Sequence, residues 1–190
     1  MSFSGNPSKK LQNSAGATRI AVDIVTGSSG PFTISKETTS FVAGRPEPFD
    51  VYTILRKDGI DAIMQDTTAE YEEHQVLWQN VTGSVLSTGL GIGYVNQTFI
   101  DSPHVTDVTI IEKEQDVIDL VWNQCPKDET FTLIKADDLD WTIPEGAYWD
   151  TCWFDSWLAD RSSYQDWKDE MFDKFCDHCG WIGFWKQNDW

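Results

Sequence analysis

The chain has 190 residues, 40% of them hydrophobic, with 31 acidic against 14 basic side chains and a formal net charge of −17. That length suits one domain with a real core, and no apolar run approaches the ~20 residues of a membrane helix. The acidity argues against nucleic acid, which is held largely through Lys and Arg contacts to phosphate; cationic small molecules or basic protein partners fit better, and plain solubility would also explain the charge.

The opening "MSFSGNPSKKLQNSAGATR" is polar and lacks the apolar stretch of a signal peptide, so residues 1–17 read as a flexible arm and the chain as cytoplasmic. "TRIAVDIVTGSSGPFTIS" (18–35) alternates apolar and polar residues around Gly-Ser-Ser-Gly-Pro, which predicts a hairpin. "DVYTILR" and "IDAIMQ" predict a second, turning at Lys57-Asp58-Gly59. "TTAEYEEHQVLWQNV" (67–81) then changes period to a helix. Thr67 or Thr68 can cap it, with Glu70 as the capping-box partner of Thr67.

From residue 84 the pattern is strand, helix, strand. "SVLSTGL" is a buried strand, "GYVNQTFIDSP" a helix, "VTDVTIIEK" (105–113) a strand and "QDVIDLVWNQC" (115–125) a helix with Val117, Ile118, Val121 and Trp122 on one face. "TFTLIKAD" (130–137) and "YWDTCWFDSW" (148–157) hold further strands. "SSYQDWKDEMFDKFCDHCG" (162–180) is a helix stopped by Gly180, and "WIGFWKQ" (181–187) a last strand. Such alternation predicts a parallel sheet with right-handed crossovers. The chain therefore divides into the arm (1–17), a β-hairpin region (18–66) and an α/β core (67–190).

Cys125, Cys152, Cys176 and Cys179 read as free thiols, because "CDHC" (176–179) has no second ligand pair to complete a zinc site. No metal is expected. "NVT" (80–82) and "NQT" (96–98) match the glycosylation pattern, which acts only on secreted chains. Of the tryptophans crowding the C-terminal half, Trp149 and Trp153 fall in or beside a strand expected to be buried. An aromatic cage for a cation is the alternative to core packing.

"GLGIG" puts Gly89, Gly91 and Gly93 between the first core strand and its helix. Glycines there allow a sharp turn, close approach of a ligand and tight helix packing, and the helix start offers free amides. Glu112 ends the next strand nineteen positions after Gly93, where a carboxylate can accept both hydroxyls of a ribose. Gly89–Gly93, Glu112, Asp137 and Asp155 should share the rim at the carboxyl ends of the strands.

"VLSTGLGIG", "VTIIEKEQDVIDLV", "FTLIKADDLDW" and "YWDTCWFDSW", in this order, resemble the successive motifs of class I S-adenosylmethionine-dependent methyltransferases, closest to the branch that includes spermidine synthase. "DGIDAIMQDTTAEYEEH" resembles the hairpin and helix that precede the glycine loop in that branch. The resemblance implies a Rossmann-like parallel sheet of about five strands in the order 3-2-1-4-5, with helices on both faces and β-hairpins before it. It implies S-adenosylmethionine as cofactor. Gly89, Gly91 and Gly93 would pass under its methionine part, Glu112 would hold the ribose, and Asp137 would face the adenine with the backbone near Asp138 and Leu139. Asp155 would orient and deprotonate an attacking amine, and Gln65 and His74 would line the same cleft. Read from the residue itself, His74 is a second candidate catalytic base, with a structural role on its helix as the alternative.

Three departures qualify the resemblance. Ile92 stands where aminopropyltransferases carry an acidic residue. The chain ends soon after the fifth strand, where the usual core adds an antiparallel hairpin. "DSWLAD" stands where amino-methylating nucleic-acid enzymes have an "NPPY"-type motif. The resulting expectation is a methyltransferase-like enzyme acting on a small or cationic acceptor. The alternatives are an aminopropyltransferase or other enzyme consuming the same cofactor, and a non-catalytic acidic binding module. No nucleic acid or membrane partner is expected, and self-association is left open.

Overall fold

The computed structural model describes residues 4–12, 16–42, 45–59, 61–157 and 163–187. A five-stranded parallel sheet carries the C-terminal part: β7 (Gly83–Thr88), β8 (Val105–Glu112), β9 (Phe131–Lys135), β10 (Trp149–Phe154) and β11 (Cys179–Phe184). Its spatial order is β11-β10-β7-β8-β9, which is the 3-2-1-4-5 pattern of a Rossmann-like α/β fold. The connecting helices are α3 (Asn96–Asp101), α4 (Gln115–Val121) and α5 (Tyr164–Phe175).

Both faces of this sheet are covered, so neighbouring residues on one strand enter different cores. Val85 and Trp153 pack with Ile92, Val117 and Val121 on one side. Leu86, Cys152 and Phe154 pack with Trp167, Met171 and Phe175 on the other. Trp149 and Trp153 are buried, as expected of that strand; Trp190 lies outside the described residues.

Before the core, β3 (Gly27–Ser29), β4 (Phe32–Val42), β5 (Arg45–Lys57) and β6 (Asp61–Gln65) form a four-stranded antiparallel sheet. The β5–β6 hairpin turns through Asp58 and Gly59, both at positive φ. The first expected hairpin is narrower than the sequence suggests. β3 and β4 turn at Gly30-Pro31, whereas β2 (Thr18–Ala21) leaves to pair with β1 (Lys9–Gln12), inside the stretch expected to be a flexible arm. Arg19 explains the departure. Its buried guanidinium bonds Asp50 at 2.8 Å and the main-chain oxygen of Asp66 at 3.1 Å, and lies over the Tyr52 ring. The Asp66 carboxylate in turn accepts from the Val22 and Thr53 amides at 2.8 and 2.7 Å.

The helix expected over 67–81 is broken. α1 (Thr68–Glu73) and α2 (Gln75–Asn80) meet at His74. Thr67 caps α1 by accepting from the Glu70 amide at 3.2 Å, but the Glu70 side chain does not return the bond and points to Trp185 instead. Helix α3 begins at Asn96, because residues 91–95 are turns. Gly180 does not stop α5: a short 3-10 turn (Cys176–His178) does, and Gly180 lies within β11.

Cys152 and Cys179 are disulfide-bonded, against the expectation of free thiols. Parallel pairing of β10 with β11 brings their Cα atoms to 6.2 Å, within bridging reach. Cys125 is free and buried, and Cys176 free and exposed. The bond removes free thiols as a ground for placing the chain in a reducing cytoplasm. With a sequence separation of 27 between the cysteines, the loop-entropy relation gives about 3.5 kcal/mol of stabilisation. The C152A/C179A double variant should therefore unfold at lower denaturant than the oxidised protein; coincident unfolding curves would show that the bond contributes nothing. Among the described residues no helix is long and apolar enough to cross a membrane.

Candidate cofactor cleft and its buried neighbours

The parallel strands end on one cleft. Ser87 and Gly89 reach it from β7, Ile111 and Glu112 from β8, Ala136 and Asp138 from beyond β9, and Trp153 and Asp155 from β10. Phe32, Leu55 and Met64 of the antiparallel sheet close the opposite side, so the hairpin region is one wall of the site. The empty space is about 890 Å³, the open mouth included. β7 is the strand from which the chain first steps to β8 and later returns to β10, and ligands of open α/β sheets sit outside that reversal.

The glycine loop is fastened from several sides. The Gly89 amide donates to the Ile111 carbonyl at 2.8 Å, and the Gly93 amide to the Leu90 carbonyl at 2.8 Å. Met64 packs on Gly91, and Gly93 faces Cys125, away from the cleft. Ile92 is fully buried.

Glu112 ties the loop to β8. Its Oε2 accepts from the Leu90 amide and its Oε1 from the Glu114 amide, both at 2.8 Å. Burial pushes this carboxyl up, while the Leu90 and Glu114 amides pull it back toward the ionised form. Each carboxylate oxygen has two lone pairs, so each can accept a ligand hydroxyl as well.

Asp138 is buried and accepts from the Leu139 amide at 3.1 Å and from the Ser156 hydroxyl. Ser156 Oγ lies 3.1 Å from Thr88 Oγ1, which ties the ends of β7, β9 and β10 together. Asp137 is not part of the cleft lining. Its carboxylate turns toward Lys113, at 3.8 Å, and toward the Leu139 amide, at 3.3 Å.

Asp155 lies at the cleft wall, with Oδ2 at 3.1 Å from Nε2 of His74. His74 lines neither this cleft nor the cavity beside Gln65. It is fully buried among the rings of Trp78, Tyr94 and Trp153, at centroid distances of 5.5, 5.3 and 5.4 Å. Its Nδ1 is 2.8 Å from the Glu70 main-chain oxygen and 3.6 Å from Glu70 Oε1. Gln65 lies outside the main cleft. It lines a second cavity of about 500 Å³, open space included, with Glu70, Glu73, Trp185 and Lys186; Ile63, Met64 and Trp185 separate the two spaces. Gln65 Oε1 is buried without a hydrogen-bond partner among the described residues.

The cleft thus gathers Gly89, Gly91, Glu112, Asp138 and Asp155, and leaves Gly93, Asp137, Gln65 and His74 outside its lining. Trp157 and Trp185, which the sequence offers only as members of a possible aromatic cage, also line it, and so do Ser156 and Lys113, which the sequence reading missed, as it missed Glu70 as a partner of His74. Glu70 precedes His74 by four positions, a spacing that puts the two on one helix face. Trp185 carried no such local signal. Among the described residues no group of three or more His, Cys, Asp and Glu could hold a metal ion.

No family model and no curated protein sequence matches the chain. Among solved structures it is similar to spermidine synthase from Thermotoga maritima, with a TM-score of 0.46 and 13% sequence identity over 91% of this chain. The chain spans 60% of that enzyme's length.

Proposed function

We propose that the cleft binds S-adenosylmethionine and that the protein is a methyltransferase-like enzyme acting on a small or cationic acceptor. The observation that carries this reading is Glu112. A buried carboxylate is tied to the glycine-loop amide of Leu90 and faces a cleft at the strand ends. That arrangement suits the two hydroxyls of a ribose, with the glycine loop beneath the methionine part of the cofactor. Asp138 and Ala136 form the wall where an adenine would lie.

The buried Ile92 supports a cofactor that keeps its carboxylate, because the loop offers no acid at that position to the ammonium of a decarboxylated one. On the acceptor side, Asp155 stands among Trp153, Trp157 and Trp185. A carboxylate with aromatic neighbours attracts a cation, and it can take the proton that an amine sheds on methylation. Methyl transfer otherwise needs chiefly alignment.

Titration calorimetry tests the reading. S-adenosylmethionine and S-adenosylhomocysteine should bind with similar affinity and the decarboxylated cofactor more weakly. Folded protein that binds none of them is not an enzyme of this kind, and preference for the decarboxylated form would move it to aminopropyl transfer. Asp155→Asn should bind cofactor as the parent does. Its release of S-adenosylhomocysteine with a panel of small amines should fall at least 100-fold, the size of a typical general-base contribution; equal release would remove Asp155 from the chemistry.

A further inference from the structure

Between the two cavities lies a run of three titratable groups: part-exposed Asp155 at the main cleft, buried His74 in the middle and buried Glu70 on the second cavity. We propose that these three act as one unit: His74 rests as an imidazolium between Asp155 and Glu70, and its Nε2–H, donating to Asp155 Oδ2, orients that carboxylate so that its other oxygen is left to take the acceptor's proton. The proposal rests on the acceptor-side reading of Asp155 and adds two positioning residues to it.

Geometry supports the assignment on both sides of the ring. Nε2 faces Asp155 Oδ2 at 3.1 Å and Nδ1 faces the Glu70 main-chain oxygen at 2.8 Å. Two oxygen acceptors satisfy an imidazolium, which donates from both nitrogens, whereas a neutral ring leaves one nitrogen lone pair against an oxygen. The surrounding rings of Trp78, Tyr94 and Trp153 exclude water, so the ring's charge depends on its polar neighbours.

Those neighbours come from every packed element. Glu70 and Glu73 belong to α1, and Asp155 follows β10. Lys186 follows β11 and lies 3.7 Å from Glu73. Asp66 follows β6 and is paired with Arg19. Glu70 Oε1 also accepts from Trp185 Nε1 at 3.1 Å. Burial alone would disfavour charge on His74, but Asp155 and Glu70 outweigh it and raise its proton affinity. The Glu70 carboxyl is itself pushed up to about 8, chiefly by burial. The two groups therefore titrate against each other.

The proton balance is simple. The acceptor nitrogen forms its bond to the methyl carbon as the sulfonium C–S bond breaks. The nitrogen gives one proton to the Asp155 carboxylate, at the oxygen that His74 does not occupy. No other reactant is consumed, and Asp155, at the cleft wall, releases the proton to water once the product has left.

Nuclear magnetic resonance of the ring nitrogens and carbons tests this without any acceptor, on the full chain. His104 and His178 are assigned away by substitution. The wild-type His74 curve should spread over more than two pH units and lie above the ordinary imidazole range. Asp155→Asn should lower its proton affinity at least tenfold. Glu70→Gln should collapse the curve to one step at lower pH. An unchanged curve in either variant overturns the unit. If Glu70→Gln does not fold, a wild-type ring titrating near 6.5 as free imidazole does overturns it alone. The calorimetric test of cofactor binding is separate, so the two readings can fail independently.

Discussion

Glu112→Ala is expected to weaken S-adenosylhomocysteine binding roughly 100-fold, the loss of about one charge-assisted hydrogen bond's upper value or two at the lower end. It should also destabilise the fold. The carboxylate is the acceptor for the Leu90 and Glu114 amides, and stranding a buried amide costs about 1–3 kcal/mol. Part of that loss is offset, since burial already disfavours the charged carboxyl. A net cost of roughly 2–4 kcal/mol remains once two amides are stranded. Glu112→Gln separates the two effects. Its carbonyl can still accept from one amide while its NH₂ opposes the other, so stability should fall less than in the alanine variant and ligand affinity nearly as far. Urea denaturation and calorimetry on the same preparations provide both readouts. Wild-type affinity in Glu112→Ala would end the ribose assignment, whatever the stability.

What the sequence discloses about this site follows from where its information is local. The strands of the parallel sheet are apolar because both faces are covered: Val85 and Leu86 enter opposite cores and neither can be polar. The glycine loop and Glu112 are legible for a related reason, since each sits at a strand end where backbone geometry restricts the residue. Pairings set by long-range contacts were not legible. β2 alternates as a hairpin strand should, but its partner is decided by Arg19 reaching Asp50 and Asp66. The disulfide depends on β11 lying beside β10, which no cysteine spacing encodes. Asp137 and Asp138 are adjacent acids with the same composition signal. The Ser156 hydroxyl and the turn at Leu139 accompany the difference: Asp138 faces the cleft and Asp137 faces Lys113. His74 reads as a mid-helix residue, yet the helix breaks there and its ring bonds Asp155, eighty-one positions away.

Gly89→Ala should abolish ligand binding and cost roughly 2–4 kcal/mol of stability, combining a backbone penalty with a steric one. Gly89 sits at φ 85°, a conformation that favours glycine. A Cβ there would fall well inside 3.0 Å of the Asp155 carbonyl oxygen, a main-chain atom that cannot rotate away. Gly146 is the matched control: its φ is 74°, and a Cβ on it would meet nothing within 4 Å. Gly146→Ala should therefore lose only the backbone part, about 1 kcal/mol, and keep ligand affinity. The difference between the two variants measures how tightly the glycine loop presses on the start of the Asp155 segment. That contact has a functional consequence, because the Asp155 amide bonds the Thr88 carbonyl at 3.1 Å and its side chain meets His74. Pushing Asp155 off Gly89 strains both bonds, so one added methyl disturbs the nucleoside side and the acceptor side together. Equal costs in the two variants, with ligand binding intact in Gly89→Ala, would show that the loop and Asp155 move independently and that the cleft is not a single preorganised site.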